Sequence, residues 1–461
     1  MAGIELYKTL TPDQDAEAIA GRINLVTKKA PPERLRSIGV WRKGVSTETT
    51  AWLGIQPATQ SIRRSKSPRP RSATALATSA PAGSSLTGSV VMLLVLDGMR
   101  RDYFDRYAAS MPTLTALRQR SAWFNQAQVN FLPTNTAVGH STLSTGTDPR
   151  VHGITGVNVY ERTQRRRHDF FAGGTPQDLM VLTLADVWQL ATAGRAIILA
   201  QGSIDRAATP LAGHGACQLN GAPVVLASYD QETGNWTTNP NCFRLPAYLK
   251  DRNAKTLWPA SGEWMGHEID STAAVRYSAL FPAFEADAMA AMMEREPLGD
   301  KVPDLILMNY KGADFVGHKY GPDSDEMRVT LGEMDRQLKR MLSALEAKVG
   351  NDYLLAVTAD HGMPPEPSSP DRRHLAPSIV DLLHEKFDPD AKQLITSFEP
   401  ENGQIFVDED RLSSLGLTLR DLAHFLESQP FLFAVFTNED VCRAANALQP
   451  ATPTPRHSKY K

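Results

Sequence analysis

Three apolar runs set the frame of this chain. Val90 to Leu96, Leu305 to Tyr310 and Tyr353 to Thr358 are short, rich in Val, Leu and Ile, and nearly free of polar residues. Runs of that length read as strands buried on both faces, the pattern of a parallel sheet. Elsewhere the period changes. Asp325 to Lys348 carries Met327, Leu331, Met334, Leu338, Met341 and Leu345 at helical spacing, which predicts a helix with one face packed into the core. Helices are also expected over Asp102 to Ser121, Thr136 to Leu143, 375–388 and 418–428, and strands over Arg195 to Ala200 and Gly403 to Val407. Such alternation predicts an α/β fold, a mostly parallel sheet with helices on both faces.

Each of the three runs ends in chemistry. The first leads into Asp97-Gly98, the second into Asp314 and then Gly317-His318, the third into Asp360-His361-Gly362. Between the first and second lies Thr134-Asn135-Thr136-Ala137-Val138-Gly139-His140. In an open α/β sheet, sites are built at the C-terminal ends of the strands. Asp and His are a ligand set that suits zinc, so the pattern reads as a two-metal site with a threonine in it. The plainer readings are a helix N-cap for Thr136, a turn residue for Asp97, and hydrogen-bonded structural roles for the histidines.

Composition narrows the picture. A chain of 461 residues can form one large α/β domain plus extras. A net charge of −2 gives no sign of a nucleic-acid-binding module, and no apolar run approaches a membrane span. The three cysteines permit at most one internal disulfide. Cys217 and Cys242 are the nearer pair, but buried or free thiols are the expectation. Residues 1–88 differ from the rest. Beyond a short helix expected at Asp13 to Thr27, residues 56–88 are rich in Ser, Ala, Pro, Thr and Arg, with a cluster from Arg63 to Arg71. That composition buries too little apolar surface to offset the entropy of ordering, so a disordered leader is expected, its Arg cluster a solvated linker. Residues 1–30 show no continuous apolar segment of the signal-peptide kind, and the tail 446–461 is expected to be disordered.

The words that carry the chemistry are Val95-Leu96-Asp97-Gly98, Pro133 to His140, Asp148-Pro149-Arg150 with His152-Gly153-Ile154, Asp314 with Gly317-His318 and Tyr320-Gly321-Pro322, and Thr358 to Gly362. In residues and in order they resemble the alkaline phosphatase superfamily, over residues 89–445. The chain is most similar to its type I phosphodiesterase/nucleotide pyrophosphatase branch and to the alkaline phosphatases with a threonine nucleophile. The resemblance implies a hydrolase of small-molecule phosphate esters, diester or monoester, that uses two zinc ions. It implies that Thr136 is the nucleophile, that Asp97, Asp360, His361 and Thr136 hold one ion, and that Asp314 and His318 hold the other. A phospho-threonine would form and then be hydrolysed, with net retention at phosphorus.

Two departures stand out. Where the family's monoesterases carry an Asn after the His-Gly-Ile word, this chain has Val157, with Asn158 one step on. In Ser203-Ile204-Asp205-Arg206, Ile204 replaces a Lys and Arg206 is kept. Arg206 and Asn158 are therefore the expected substrate-binding residues, and losing an ammonium tilts the expectation toward monoanionic diesters. The family also takes a late His as third ligand of the Asp314/His318 ion. After His361 only His374, His384, His424 and His457 remain, none in the family's word. The chain reads as truncated at its C-terminus. One zinc rather than two becomes an expectation, and a remnant that binds phosphate or metal without turnover becomes the alternative function. Family members are usually exported; localisation and oligomeric state stay open.

Overall fold

A computed structural model describes residues 3–8, 37–42, 51–54 and 90–447, apart from 126, 128, 130, 162–163, 218–223, 366–375, 401–402 and 431. The described residues form two units. The larger draws on the spans 16–157 and 169–366, the smaller on 1–15, 158–168 and 367–461. Residues 89–445, expected as one hydrolase domain, thus contribute to both. Within the expected leader, three strands are described, Gly3–Lys8, Ser37–Arg42 and Ala51–Gly54. The helix expected at Asp13 to Thr27 and the tail beyond 447 lie outside the described residues.

The larger unit is organised by an eight-stranded sheet. Its order is Ala51–Gly54, Ser37–Arg42, Tyr353–Thr358, Val90–Leu96, Asp304–Tyr310, Ile198–Gly202, Val225–Tyr229, Trp236–Thr237. The five strands from Tyr353–Thr358 to Val225–Tyr229 are parallel, and the outer three join antiparallel. The fold is α/β with a mostly parallel sheet, as the alternation implied.

Strand pleating sends successive side chains to opposite faces, and Val90–Leu96 shows it. Val90, Met92, Leu94 and Leu96 join one core with Phe281, Phe284, Met327, Leu331, Met334, Leu338, Met341 and Leu345. Val91, Leu93 and Val95 join a second core with Ala185, Ala208, Leu211 and Ala212. The helices Phe281–Arg295 and Asp325–Val349 therefore cover one face, and Leu184–Ala191 and Asp205–Ala212 the other. The Met/Leu stripe of Asp325–Val349 is core packing.

The helical region expected over Asp102 to Ser121 comes as three short pieces, Tyr103–Arg106, Ala108–Ser110 and Pro112–Gln119. Pro112 forces the break: it has no amide hydrogen to donate, and it drives Met111 out of the helical region (φ −123°, ψ 60°). Cys217 and Cys242 are not thiols but a disulfide, with Cα atoms 4.7 Å apart and closing a loop 25 residues long.

The smaller unit holds a four-stranded antiparallel sheet, ordered Ile395–Glu399, Gln404–Val407, Gly3–Lys8, Leu432–Thr437. Its core gathers Ile379, Leu383, Leu394, Ile405, Leu412, Leu422 and Leu426. Among the described residues, no helix is long and apolar enough to cross a membrane.

Candidate functional site

Register places the chemistry. Tyr310 pairs with Leu96 and Thr358 with Val95, so the three central strands end level. Asp97 extends the ladder one step, its N–H donating to Tyr310 O at 3.0 Å. Asp97, Lys311 and Asp360 therefore leave adjacent strand ends side by side. Gly98 has φ +66° and its N–H donates to Asp360 Oδ1 at 3.2 Å; a Cβ there would press on Asp314 Cα at 3.0 Å. Gly139 lets the helix Thr136–Thr145 lie against the Asp360 backbone, where a Cβ would sit 2.6 Å from Asp360 O. The glycines of both words are there for close approach.

The cap reading of Thr136 fails on geometry. Asn135 is the N-cap; its side chain accepts from Val138 N at 3.3 Å. That leaves the Thr136 hydroxyl, itself buried, facing His361 Nε2 at 3.2 Å and Lys311 Nζ at 3.3 Å. His361 Nδ1 donates to Gly362 O at 2.8 Å, so Nε2 turns its lone pair toward the cluster. Around Nε2 stand Asp360 Oδ2 at 3.2 Å, Asp97 Oδ1 at 3.5 Å and Asp314 Oδ1 at 3.9 Å. Those three carboxylate oxygens are buried and make no hydrogen bond. A buried anionic oxygen without a partner is costly. Three converging on one imidazole nitrogen are what a cation would satisfy, and Asp97, Asp360 and His361 form a compact group of metal-ligating atoms. The oxygen and nitrogen donor set fits a metal ion.

The electrostatics agree. Burial, and next the Asp360 carboxylate, push the Asp97 carboxyl up to about 6 against the pull of Lys311. Burial would raise Asp360 as well, but His361 and His140 bring it down to about 2. Burial also opposes Asp314, yet Lys311 and then His318 hold it well below the usual carboxylate range. For His361, burial disfavours the imidazolium while Asp360, Asp97 and Asp314 favour it, with a net rise. Carboxylates that hold a proton on His361 can hold a metal ion in its stead.

The other expected residues fall as follows. Asp314 and His318 share the helix Gly312–Tyr320 four residues apart, with His318 Nε2 3.4 Å from Asp314 Oδ1 and its side chain 69% exposed. Arg206 lies in the first turn of the helix Asp205–Ala212 beyond the end of Ile198–Gly202, half-buried, its Nε without a hydrogen-bond partner. Asn158 belongs to the smaller unit, its amide nitrogen 2.6 Å from Glu399 Oε2 and its oxygen 2.5 Å from Arg167 Nη2. His384 of that unit accepts from Ile395 N at 3.2 Å, and His424 is exposed. His374 and His457 lie outside the described residues.

Sequence reasoning passed over four residues here. Asn309 accepts from Ser203 N through Oδ1 at 3.3 Å, which turns its Nδ2 to Asp97 Oδ2 at 2.7 Å and His140 Nε2 at 3.0 Å. His140 therefore carries its proton on Nδ1 and donates to Thr136 O at 2.9 Å, with Asp360 Oδ2 3.2 Å away. Asn309 was the signal available: a polar side chain inside an apolar strand. Lys311 carried another, a lysine directly after that strand and three residues before Asp314.

Glu285 is the fourth, fully buried beneath Lys311. Its Oε1 accepts from Ser203 Oγ at 2.5 Å and Lys311 N at 2.9 Å. Burial pushes its carboxyl from 4.5 up to about 8. The folded chain thus keeps a proton that the unfolded chain releases above 4.5, and this contribution is full below 4.5 and lost as pH rises to about 8. The expected slope is on the order of 1 kcal/mol per pH unit in that window. Glu285→Gln keeps both acceptor contacts and cannot ionise, so denaturant titrations from pH 5 to 8 should show a flatter stability profile than wild type. Equal slopes would show that Glu285 is already ionised in the folded chain.

The family model described as type I phosphodiesterase / nucleotide pyrophosphatase matches residues 91–409. Alkaline phosphatase PafA of Elizabethkingia meningoseptica is 26% identical over 326 residues, 59% of this chain and 59% of its own length. Alkaline phosphatase PhoV of Synechococcus elongatus is 27% identical over 324 residues, 59% of this chain and 58% of its own. The chain therefore spans under two thirds of either relative. The crystal structure of wild-type alkaline phosphatase PafA shares the fold, with a TM-score of 0.63 at 22% identity, covering 80% of this chain and 81% of that one.

Proposed function

Because this chain belongs to the type I phosphodiesterase/nucleotide pyrophosphatase family, we propose that it is a zinc-dependent hydrolase of phosphate esters that works through a phospho-threonine at Thr136. One observation carries the reading: Asn135 takes the capping role, and the freed Thr136 hydroxyl lies 3.2 Å from His361 Nε2 beside three partnerless carboxylate oxygens.

Asp97, Asp360 and His361, with Thr136, would hold the zinc, a mixed oxygen and nitrogen set. Bound there, the ion would supply a Lewis acid that favours the Thr136 alkoxide and neutralises phosphate charge. The chain's residues do the rest. Asn309 and His140 fix Asp97 and the first turn of the Thr136 helix, so the attacking oxygen is held in place. Position at a helix start favours a bound phosphate through the dipole and free amides. The Thr136 oxygen gives up its proton and bonds to phosphorus as the bond to the leaving alcohol oxygen breaks and that oxygen takes up a proton. Water then loses a proton and attacks phosphorus, the bond from phosphorus to the Thr136 oxygen breaks, and Thr136 regains its proton.

Ile204 leaves Arg206 as the one cation of its word, which favours a monoanionic diester over a dianionic monoester. The test is hydrolysis of a paired aryl phosphate diester and monoester by zinc-loaded protein of measured metal content. Faster diester turnover is expected. Zinc-loaded protein that turns over neither substrate would refute the hydrolase reading.

A further inference from the structure

Lys311 is a charged group of the centre to which the family reading gives no role. Its side chain is almost wholly buried at the end of the strand Asp304–Tyr310. An ammonium has three donors, and each finds an acceptor. Asp314 Oδ2 stands at 2.7 Å, Asp97 Oδ2 at 2.8 Å and Thr136 Oγ1 at 3.3 Å. The Phe315 ring lies on another side, its centroid 5.4 Å from Nζ, and Glu285 anchors the Lys311 backbone N–H. This is a built position for a cation. It also divides the carboxylates. Asp97 and Asp314 each give one oxygen to the ammonium and keep the other, partnerless, for the cluster around His361.

We propose that the Lys311 ammonium is a resident cation of this centre, holding the Asp314 carboxylate against a second metal ion on Asp314 and His318, so that the site takes a single metal ion on Asp97, Asp360 and His361. This rests on the reading of the site as a metal centre. Charge balance supports it. The carboxylates of Asp97, Asp314 and Asp360 are matched by one ammonium and one dication, whereas a second dication would carry positive charge that these three groups do not compensate. The Thr136 oxygen then lies between two cations of different kinds: the metal ion held beside His361, and the ammonium. Only the first can be exchanged or chelated; the second is fixed in the chain.

The test counts metal. Zinc-free full-length chain is titrated with zinc against a chromophoric chelator, and the loaded protein is analysed for zinc per chain. Wild type should bind one ion per chain. Lys311→Met keeps the buried stem but frees the two carboxylate oxygens, and should take up a second zinc about tenfold or more tighter than any second ion on wild type. Two tightly held ions on wild type would overturn the inference without any variant and leave the metal centre standing. A Lys311→Met chain that folds, by its melting curve, and still binds one ion would overturn it too. Wild type that binds no zinc would instead remove the metal-centre reading, and this inference with it.

Discussion

Replacing Thr136 by alanine is expected to abolish covalent phosphate labelling and to lower turnover by roughly four orders of magnitude, the scale seen when a covalent nucleophile is removed. The fold should survive. Thr136 is the first residue of its helix, and the cap belongs to Asn135, which the substitution leaves intact. His361 keeps its bond to Gly362 O, and Lys311 keeps Asp97 and Asp314. The stability change should therefore stay near 1 kcal/mol or below. Thr136→Ser retains a hydroxyl at the same place and should keep measurable activity, less than wild type because the serine side chain is freer to rotate. Acid-quenched labelling with a radioactive phosphate ester reads this directly. A labelled intermediate in Thr136→Ala would assign the attack to another atom.

Much of this site was legible because strand ends are a place, not merely a motif. A wholly apolar run commits a strand to burial on both faces, and the split of Val90–Leu96 between two cores shows that commitment kept. Once such strands are parallel and level, the residues just past them must be neighbours, so Asp97 and Asp360 meet although they are far apart in sequence. Other features had no such rule. Lys311 follows a strand as Asp97 does, and its place three residues before Asp314 was a signal, but its burial is explained only by the carboxylates on both sides. Glu285 lies on a helix whose apolar residues gave no hint that its carboxyl faces Ser203. The Cys217–Cys242 disulfide depended on a loop returning to within 4.7 Å of itself, which spacing cannot specify. The smaller unit was the least legible. Its sheet takes Gly3–Lys8 from one end of the chain and Leu432–Thr437 from the other, and no local pattern records a pairing that distant.

Asp360→Asn is expected to remove the response of stability to zinc while leaving the backbone of the centre in place. Asp360 uses its two oxygens differently. Oδ1 accepts from Gly98 N at 3.2 Å and His361 N at 2.9 Å, which ties together two strand ends. Oδ2 has no hydrogen bond and stands 3.2 Å from His361 Nε2. An asparagine can keep the first set through its carbonyl oxygen. It then presents an uncharged NH2 group where the metal needs an anion, and a donor cannot be a ligand. Loss of a direct ligand should exceed the 10–100-fold cost typical of its supporting residues, so a fall in zinc affinity on the order of 1,000-fold is expected. Linkage turns that into stability. With zinc at about 1,000 times the wild-type Kd, wild type gains about 4 kcal/mol, and a variant bound about 1,000-fold more weakly gains less than about 0.5 kcal/mol. Denaturant titrations with and without zinc give both numbers. Equal gains in the two proteins would place the bound zinc somewhere other than Asp360 Oδ2, and with it the chemistry assigned to this strand edge.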